Sequence, residues 1–231
     1  MNATLIDIGM VPIPTPTKTY QPVGHYQLVK SIETMANDKF GSKPETESFI
    51  LARDGKQLFG TLNYKSEEDE NSRISIGFRN SYDKSLAVGL VAGQEILVCS
   101  NLCFSGDIVN YRKHSSNVMD DLEYMINDLL SKAQLIYNSM LEHQEQMKKD
   151  NIDDVLAASL LGQMFINEEI LTPTQLNIAK RHWLSGGNGK FPERTAWSLY
   201  NSCTEALKIS HASEYIDRAL TLDNFFVSHL E

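Results

Sequence analysis

From Val118 to Leu141 the apolar residues Val118, Leu122, Met125, Ile126, Leu129, Leu130, Ala133, Ile136, Tyr137, Met140 and Leu141 recur at three- and four-residue spacing. That period lines one face of a helix, so the sequence predicts a single amphipathic helix of about 30 residues. Asn117, with Asp120 three residues later, supplies an N-terminal capping pair.

Ahead of Ser115 the period is different. SFILARDGKQLFGTLNY carries apolar residues on both sides of Asp54-Gly55, the dipeptide that most readily enters a tight two-residue turn, and predicts a β-hairpin. SRISIGFRN alternates apolar and polar residues, and SLAVGLVAG and QEILVCSNLCF follow at short intervals with Gly93 between them as a turn. Roughly five strands result, antiparallel because the connections are too short for crossover helices. Earlier still, Pro12, Pro14, Pro16 and Pro22 block helix and predict an extended arm over residues 1–22, and His25–Phe40 follows as a helix closed by Gly41.

Beyond the long helix, helical patterns cover 152–166, 172–184, 193–209 and 212–227, with SGGNGKFP as the flexible loop between two of them. The expected fold is therefore α+β: an antiparallel β-rich N-terminal half, a long helix and a helical C-terminal half. The expected division is an arm at 1–22, a β-rich region at 23–115 and a helical region at 116–231, joined in one integrated domain.

Charge is unevenly spread. The net charge is −9, yet residues 1–115 hold 12 basic and 13 acidic residues while residues 116–231 hold 9 and 17. That argues against coating duplex DNA by bulk charge and leaves room for a local basic stripe on the near-neutral half. No apolar run is long enough to span a membrane, and the start of the chain lacks the pattern of a signal peptide, so a cytoplasmic protein without membrane contact is expected. Cys99, Cys103 and Cys203 form no framework of pairs, and free thiols are expected. No zinc-ligand spacing, phosphate-cradling glycine loop or grouping of nucleophile, base and orienting residue occurs, so no metal, cofactor or enzymatic activity is expected.

Four pieces resemble, in order and spacing, a family of phage- and plasmid-encoded proteins known as domain of unknown function 932. They are DGKQLFG at 54–60, RNSYDKSLAVGLVAG at 79–93, VCSNLCFSGD…RKH at 98–114 and AWSLYNSCTEAL at 196–207, with His25 standing where such proteins often carry a PVPH-like sequence. The resemblance implies a mobile-element setting in a bacterial host. It implies no catalytic residues.

The candidate site begins at Arg112, Lys113 and His114. Cations immediately before a helix are unfavourable for the helix, whose N-terminus is already positive, and the placement is offset where an anion binds. Arg73, Arg79 and Lys84 on or beside neighbouring strands extend this patch, with Tyr82 and Asn101 as stacking or polar partners, alongside Asn80 and Ser81. The alternative is a set of solvated charges guarding a sheet edge. Trp197, Tyr200 and Asn201 share one helical turn and are expected in the core.

These readings predict a non-enzymatic accessory protein that handles single-stranded nucleic acid. A short antiparallel sheet followed by a long helix is similar to the cores of single-strand annealing proteins. The competing reading is an inhibitor of a host defence system, acting by protein contact or by sequestering a small anionic ligand. A homo-oligomer is compatible with either.

Overall fold

Backbone hydrogen bonding along the β-rich half orders six strands as β1-β2-β3-β4-β5-β6, so every strand lies beside its sequence neighbour. They are β1 (Asn2–Ala3), β2 (Thr46–Ala52), β3 (Gln57–Lys65), β4 (Ser72–Ser81), β5 (Val88–Ile96) and β6 (Asn101–Arg112). The computed structural model describes residues 2–97 and 101–229, and for 105–110 the backbone alone. The ladders β1·β2, β2·β3 and β3·β4 are antiparallel, with Phe49 opposite Gly60 and Gly60 opposite Phe78.

The helices are α1 (Leu5–Met10), α2 (His25–Phe40), α3 (Val118–Lys149), α4 (Asp154–Ile166), α5 (Pro173–Leu184), α6 (Ala196–Leu207) and α7 (Ala212–His229). The expected α+β class and the long helix are both present, α3 running for 32 residues. Local chemistry explains several boundaries. Gly41 closes α2 at φ 65°, in the left-handed region a glycine enters freely. Thr172 and Gln175 form a reciprocal capping box at the start of α5, with Pro173 in its first turn.

Three local expectations are corrected. The β2–β3 connection has four residues, not two, and Arg53, Asp54 and Gly55 all take positive φ, at 50°, 55° and 79°. Gly93 is no turn but part of β5, whose residues from Val88 to Gln94 are all buried, and that burial outweighs the weak preference of a single glycine. The arm also holds structure: Thr4 caps α1 through a reciprocal box with Asp7, Ile8 is buried, and β1 pairs with β2.

Two compact units emerge, one from Met1–Gly93 with Asp107–Ile136 and the other from Gln94–Gly106 with Tyr137–Glu231. In the first, the buried faces of α2 (Leu28, Val29, Ile32, Ala36) and of α3 (Leu122, Met125, Ile126, Leu129) join Leu58, Leu62, Ile76 and Phe78 of the sheet as core. In the second, Trp197, Tyr200 and Asn201 of α6 are buried as expected, and Tyr200 meets Phe226 edge to face with ring centroids 5.1 Å apart. Cys103 and Cys203 are buried thiols, and burial pushes Cys203 well above the ordinary thiol range; Cys99 lies outside the described residues. Among the described residues no helix is long and apolar enough to cross a membrane.

Candidate nucleic-acid interface

In an antiparallel sheet of this order, β2, β4 and β6 all end where β3 and β5 begin. The loops 53–56 and 82–87 and the segment leading into α3 therefore meet at one end of the first unit. The Tyr82 N–H donates to the Lys56 carbonyl at 2.7 Å, the Gln57 amide donates to Ser85 Oγ at 2.6 Å, and Arg53 lies 3.5 Å from Asp83.

His25, at the start of α2, fastens this end from inside. Its ring is fully buried and stacks on Tyr82 with centroids 3.7 Å apart. The Asn80 amide N–H donates both to the Val23 carbonyl at 2.7 Å and to His25 Nδ1 at 2.9 Å. That donor fixes the tautomer: Nε2 carries the proton and donates to the Gly55 carbonyl at 3.0 Å. The His25 backbone N–H donates to the Tyr82 hydroxyl at 2.8 Å, satisfying one donor of the helix start. Burial pushes the imidazole down to about 4.

Around this clamp the cations sit on aromatic rings. Lys84 Nζ is 4.5 Å from the centroid of Tyr20, and the Arg79 guanidinium is 4.4 Å from that of Tyr111. Tyr20 in turn donates its hydroxyl to the Tyr82 carbonyl at 3.1 Å and lies 5.5 Å from the His114 ring. His114 is buried, which holds its pKa below the usual value although the backbone of Gln21 and Leu86 favours its proton. Its backbone carbonyl accepts from the Gln21 N–H at 3.1 Å, tying the arm to the end of β6. Arg112 and Lys113, just before it, are exposed; Arg112 reaches Asp121 at 3.7 Å, a loose surface pair of little energetic weight.

Besides Asp54 in the first loop and Asp121 at Arg112, a third carboxylate stands among these cations, Asp83 beside Arg53. Burial alone would raise it, but the Ser85 hydroxyl and amide and Arg53 more than offset that and hold it below the ordinary value. It therefore stays ionised and tempers the positive potential of the two loops.

Five of the eight residues singled out from sequence, Tyr82, Lys84, Arg112, Lys113 and His114, fall at this sheet end, and Arg79 adjoins it through Tyr111. The other two do not. Arg73 is held by Glu45 at 2.6 Å at the start of β4, and β4 runs from there to Ser81 before it reaches the loops. Asn101 belongs to the second unit, where it is buried and donates to Asn201 Oδ1 at 3.0 Å. Sequence reasoning missed Tyr20, Arg53, Lys56 and Tyr111, whose partners are distant in the chain; the prolines around Tyr20 drew the eye to the arm and away from its aromatic.

The fold and this end together define an α+β protein whose sheet end carries cations over tyrosine rings. Its family follows from comparison: the family model described as domain of unknown function (DUF932) matches residues 13–217, and the chain belongs to that family. No curated protein and no solved structure matches it.

Proposed function

We propose that the chain is a non-enzymatic, phage- or plasmid-encoded protein of the bacterial cytoplasm that binds single-stranded nucleic acid at this end of its sheet. The reading is supported by Lys84 over the Tyr20 ring and by exposed Arg112 and Lys113 at the same end of the sheet, with Arg79 over Tyr111 on the adjoining strands. Single strands are held by cations that follow the phosphates; Tyr20, buried beneath Lys84, and Tyr111, beneath Arg79, place two of these cations, and a local patch suffices even in a chain of net charge −9.

Oligonucleotide anisotropy at two salt concentrations tests it. Arg112→Ala with Lys113→Ala is expected to weaken binding of a single strand about tenfold or more and to lower the salt slope by roughly two contacts. The free protein should be no less stable, since cations at the start of α3 oppose the helix dipole. Equal binding by both proteins, or none by either at ~50 mM salt, removes this reading and leaves in its place the inhibitor of a host defence system, acting by protein contact or by sequestering a small anionic ligand.

Lys84→Gly separates ligand contact from structural support. Lys84 has φ 64°, a conformation that costs a non-glycine residue of order 1 kcal/mol and that glycine adopts freely. The loss of its contact with Tyr20 is of similar size, so thermal unfolding should move little. Oligonucleotide affinity should nevertheless fall, with a salt slope lower by about one contact. Unchanged affinity would take Lys84 out of the binding surface.

A further inference from the structure

Helix α4 carries a feature that the nucleic-acid reading leaves unused. From Val155 to Ile166 it contains no charged residue. Ala157, Leu160, Leu161 and Met164 form its buried face. The opposite side, which in a surface helix is normally charged, is uncharged and largely apolar, with Ser159 and Gln163 as its polar residues. Val155 is 78% exposed, Leu156 45%, Phe165 37% and Ile166 73%. Ala158 and Ser159 are exposed between them, and no atom lies within 4 Å of where a side chain on Gly162 would begin. The spacing 155, 159, 162, 166 aligns these residues in one stripe along the helix. Four large apolar side chains exposed on one helix, Val155 and Leu156 near its start and Phe165 and Ile166 at its end, with only Ala158, Ser159, Gly162 and Gln163 exposed or half-buried between them, mark a contact site, unlike single exposed apolar residues.

Charge at the two ends of the stripe selects the occupant. Exposed Asp153 and Asp154 stand at its start, and exposed Glu168 and Glu169 follow its end. A depression of about 580 Å³ lined by Ile152, Asp153, Asp154, Leu156 and Arg194 opens beside the first pair. Arg194 lies 3.4 Å from Asp154 but also covers the Trp183 ring at 4.6 Å, so it answers only part of the acidity. A second copy of α4 is disfavoured: parallel packing sets Asp against Asp and Glu against Glu, and antiparallel packing sets Asp against Glu. An anionic lipid surface meets the same repulsion. An apolar helix with cations at both ends meets complementary charge at each.

We propose that the exposed face of α4 docks an amphipathic helical segment of another protein, apolar along its contact stripe and carrying Lys or Arg at both ends. Gly162 lets the two backbones approach closely at the centre of the contact. The contact uses residues of the second unit alone, none of which is part of the proposed nucleic-acid surface.

The test uses the full chain and two fluorescent helical peptides of about 20 residues with the same leucine stripe, one flanked by lysines and the other by glutamates. The lysine peptide is expected to bind at least about tenfold more tightly than the glutamate peptide. Val155→Ser with Ile166→Ser should weaken that binding about tenfold, with an unchanged melting temperature because both side chains are mostly exposed. Glu168→Gln with Glu169→Gln should narrow the preference between peptides while leaving glutamate-peptide binding no weaker. Equal affinity for both peptides, binding of neither, or binding unaffected by the serine pair overturns the proposal. So does sedimentation as a dimer that the serine pair dissociates, which assigns the face to a second copy, or flotation with anionic vesicles that the serine pair abolishes.

Discussion

Acidifying the protein from pH ~7 to pH ~4 is expected to cost the unit built on the N-terminal strands about 3 kcal/mol of folding stability through His25 alone. Burial holds this ring down at about 4, against 6.5 for an unhindered imidazole; the Gly55 carbonyl favours the proton, and nearby His114 disfavours it. Above pH 6.5 the ring is neutral in both the folded and the unfolded chain, and its titration has no effect on stability. As the pH falls below 6.5 the unfolded chain takes up the proton first, so stability declines until the folded ring is protonated near 4, and is then flat. The geometry explains the resistance: Nδ1 already faces the Asn80 amide N–H at 2.9 Å, so a proton placed there finds a donor where it needs an acceptor.

Urea unfolding between pH ~7 and ~4 should show this loss in the wild type and a shallower decline in His25→Gln, the carboxylates contributing equally to both. His114, also held down by burial, adds in the same direction and remains in the variant. Should the variant fail to fold, the His25 ring resonance of the native protein still decides the matter. A midpoint near 4 is expected, and one near 6.5, or identical pH slopes in the two proteins, would show that the clamp does not exclude the proton.

Periodicity carried most of the fold because burial on one face leaves its spacing in the chain. The stripe from Val118 to Leu141 and the Thr172-Pro173 start gave α3 and α5 nearly at their observed bounds. Turns were less legible. Asp54-Gly55 marked the hairpin but not its length, because the loop is set by contacts from outside it: His25 holds the Gly55 carbonyl, Tyr82 holds that of Lys56, and Asp83 draws in Arg53. Gly93 misled for the opposite reason, since the burial of its strand depends on layers that no local pattern records.

The site was legible where it is contiguous. Arg112-Lys113-His114 stands out as cations before a helix, and Lys84 and Tyr82 share one loop. What could not be read was pairing across the fold. Nothing local to Arg73 reveals Glu45, 28 positions earlier, and nothing local to Asn101 reveals Asn201, 100 positions later. The same is true of Tyr20 beneath Lys84 and of Tyr111 beneath Arg79. His25 was visible only through its resemblance to the family; a histidine at the start of a helix is otherwise unremarkable until its carbonyl partner is known.

Gly60→Val is expected to destabilise the protein by at least about 3 kcal/mol, and Gly60→Ala by about 1–3 kcal/mol. Gly60 lies in β3 between Phe49 of β2 and Phe78 of β4, which stand opposite it on the two ladders. A Cβ at this position would lie 2.5 and 2.7 Å from the Phe78 ring and 2.9 Å from the Phe49 ring, closer than real Cβ atoms come to any neighbour. The two rings thus fill the space that the missing side chain leaves. They cannot readily yield it, because Phe78 is fully buried, Phe49 almost so, and their centroids are only 6.2 Å apart. Alanine asks the rings to shift by about an ångström against a packed core, whereas valine adds two branches at the same point and forces the strands themselves to part. Urea midpoints for the three proteins should fall in the order glycine, alanine, valine with similar slopes. A valine variant as stable as the wild type would mean that the aromatic pair has room to move, and that β3 is not held in register by the close approach of these rings.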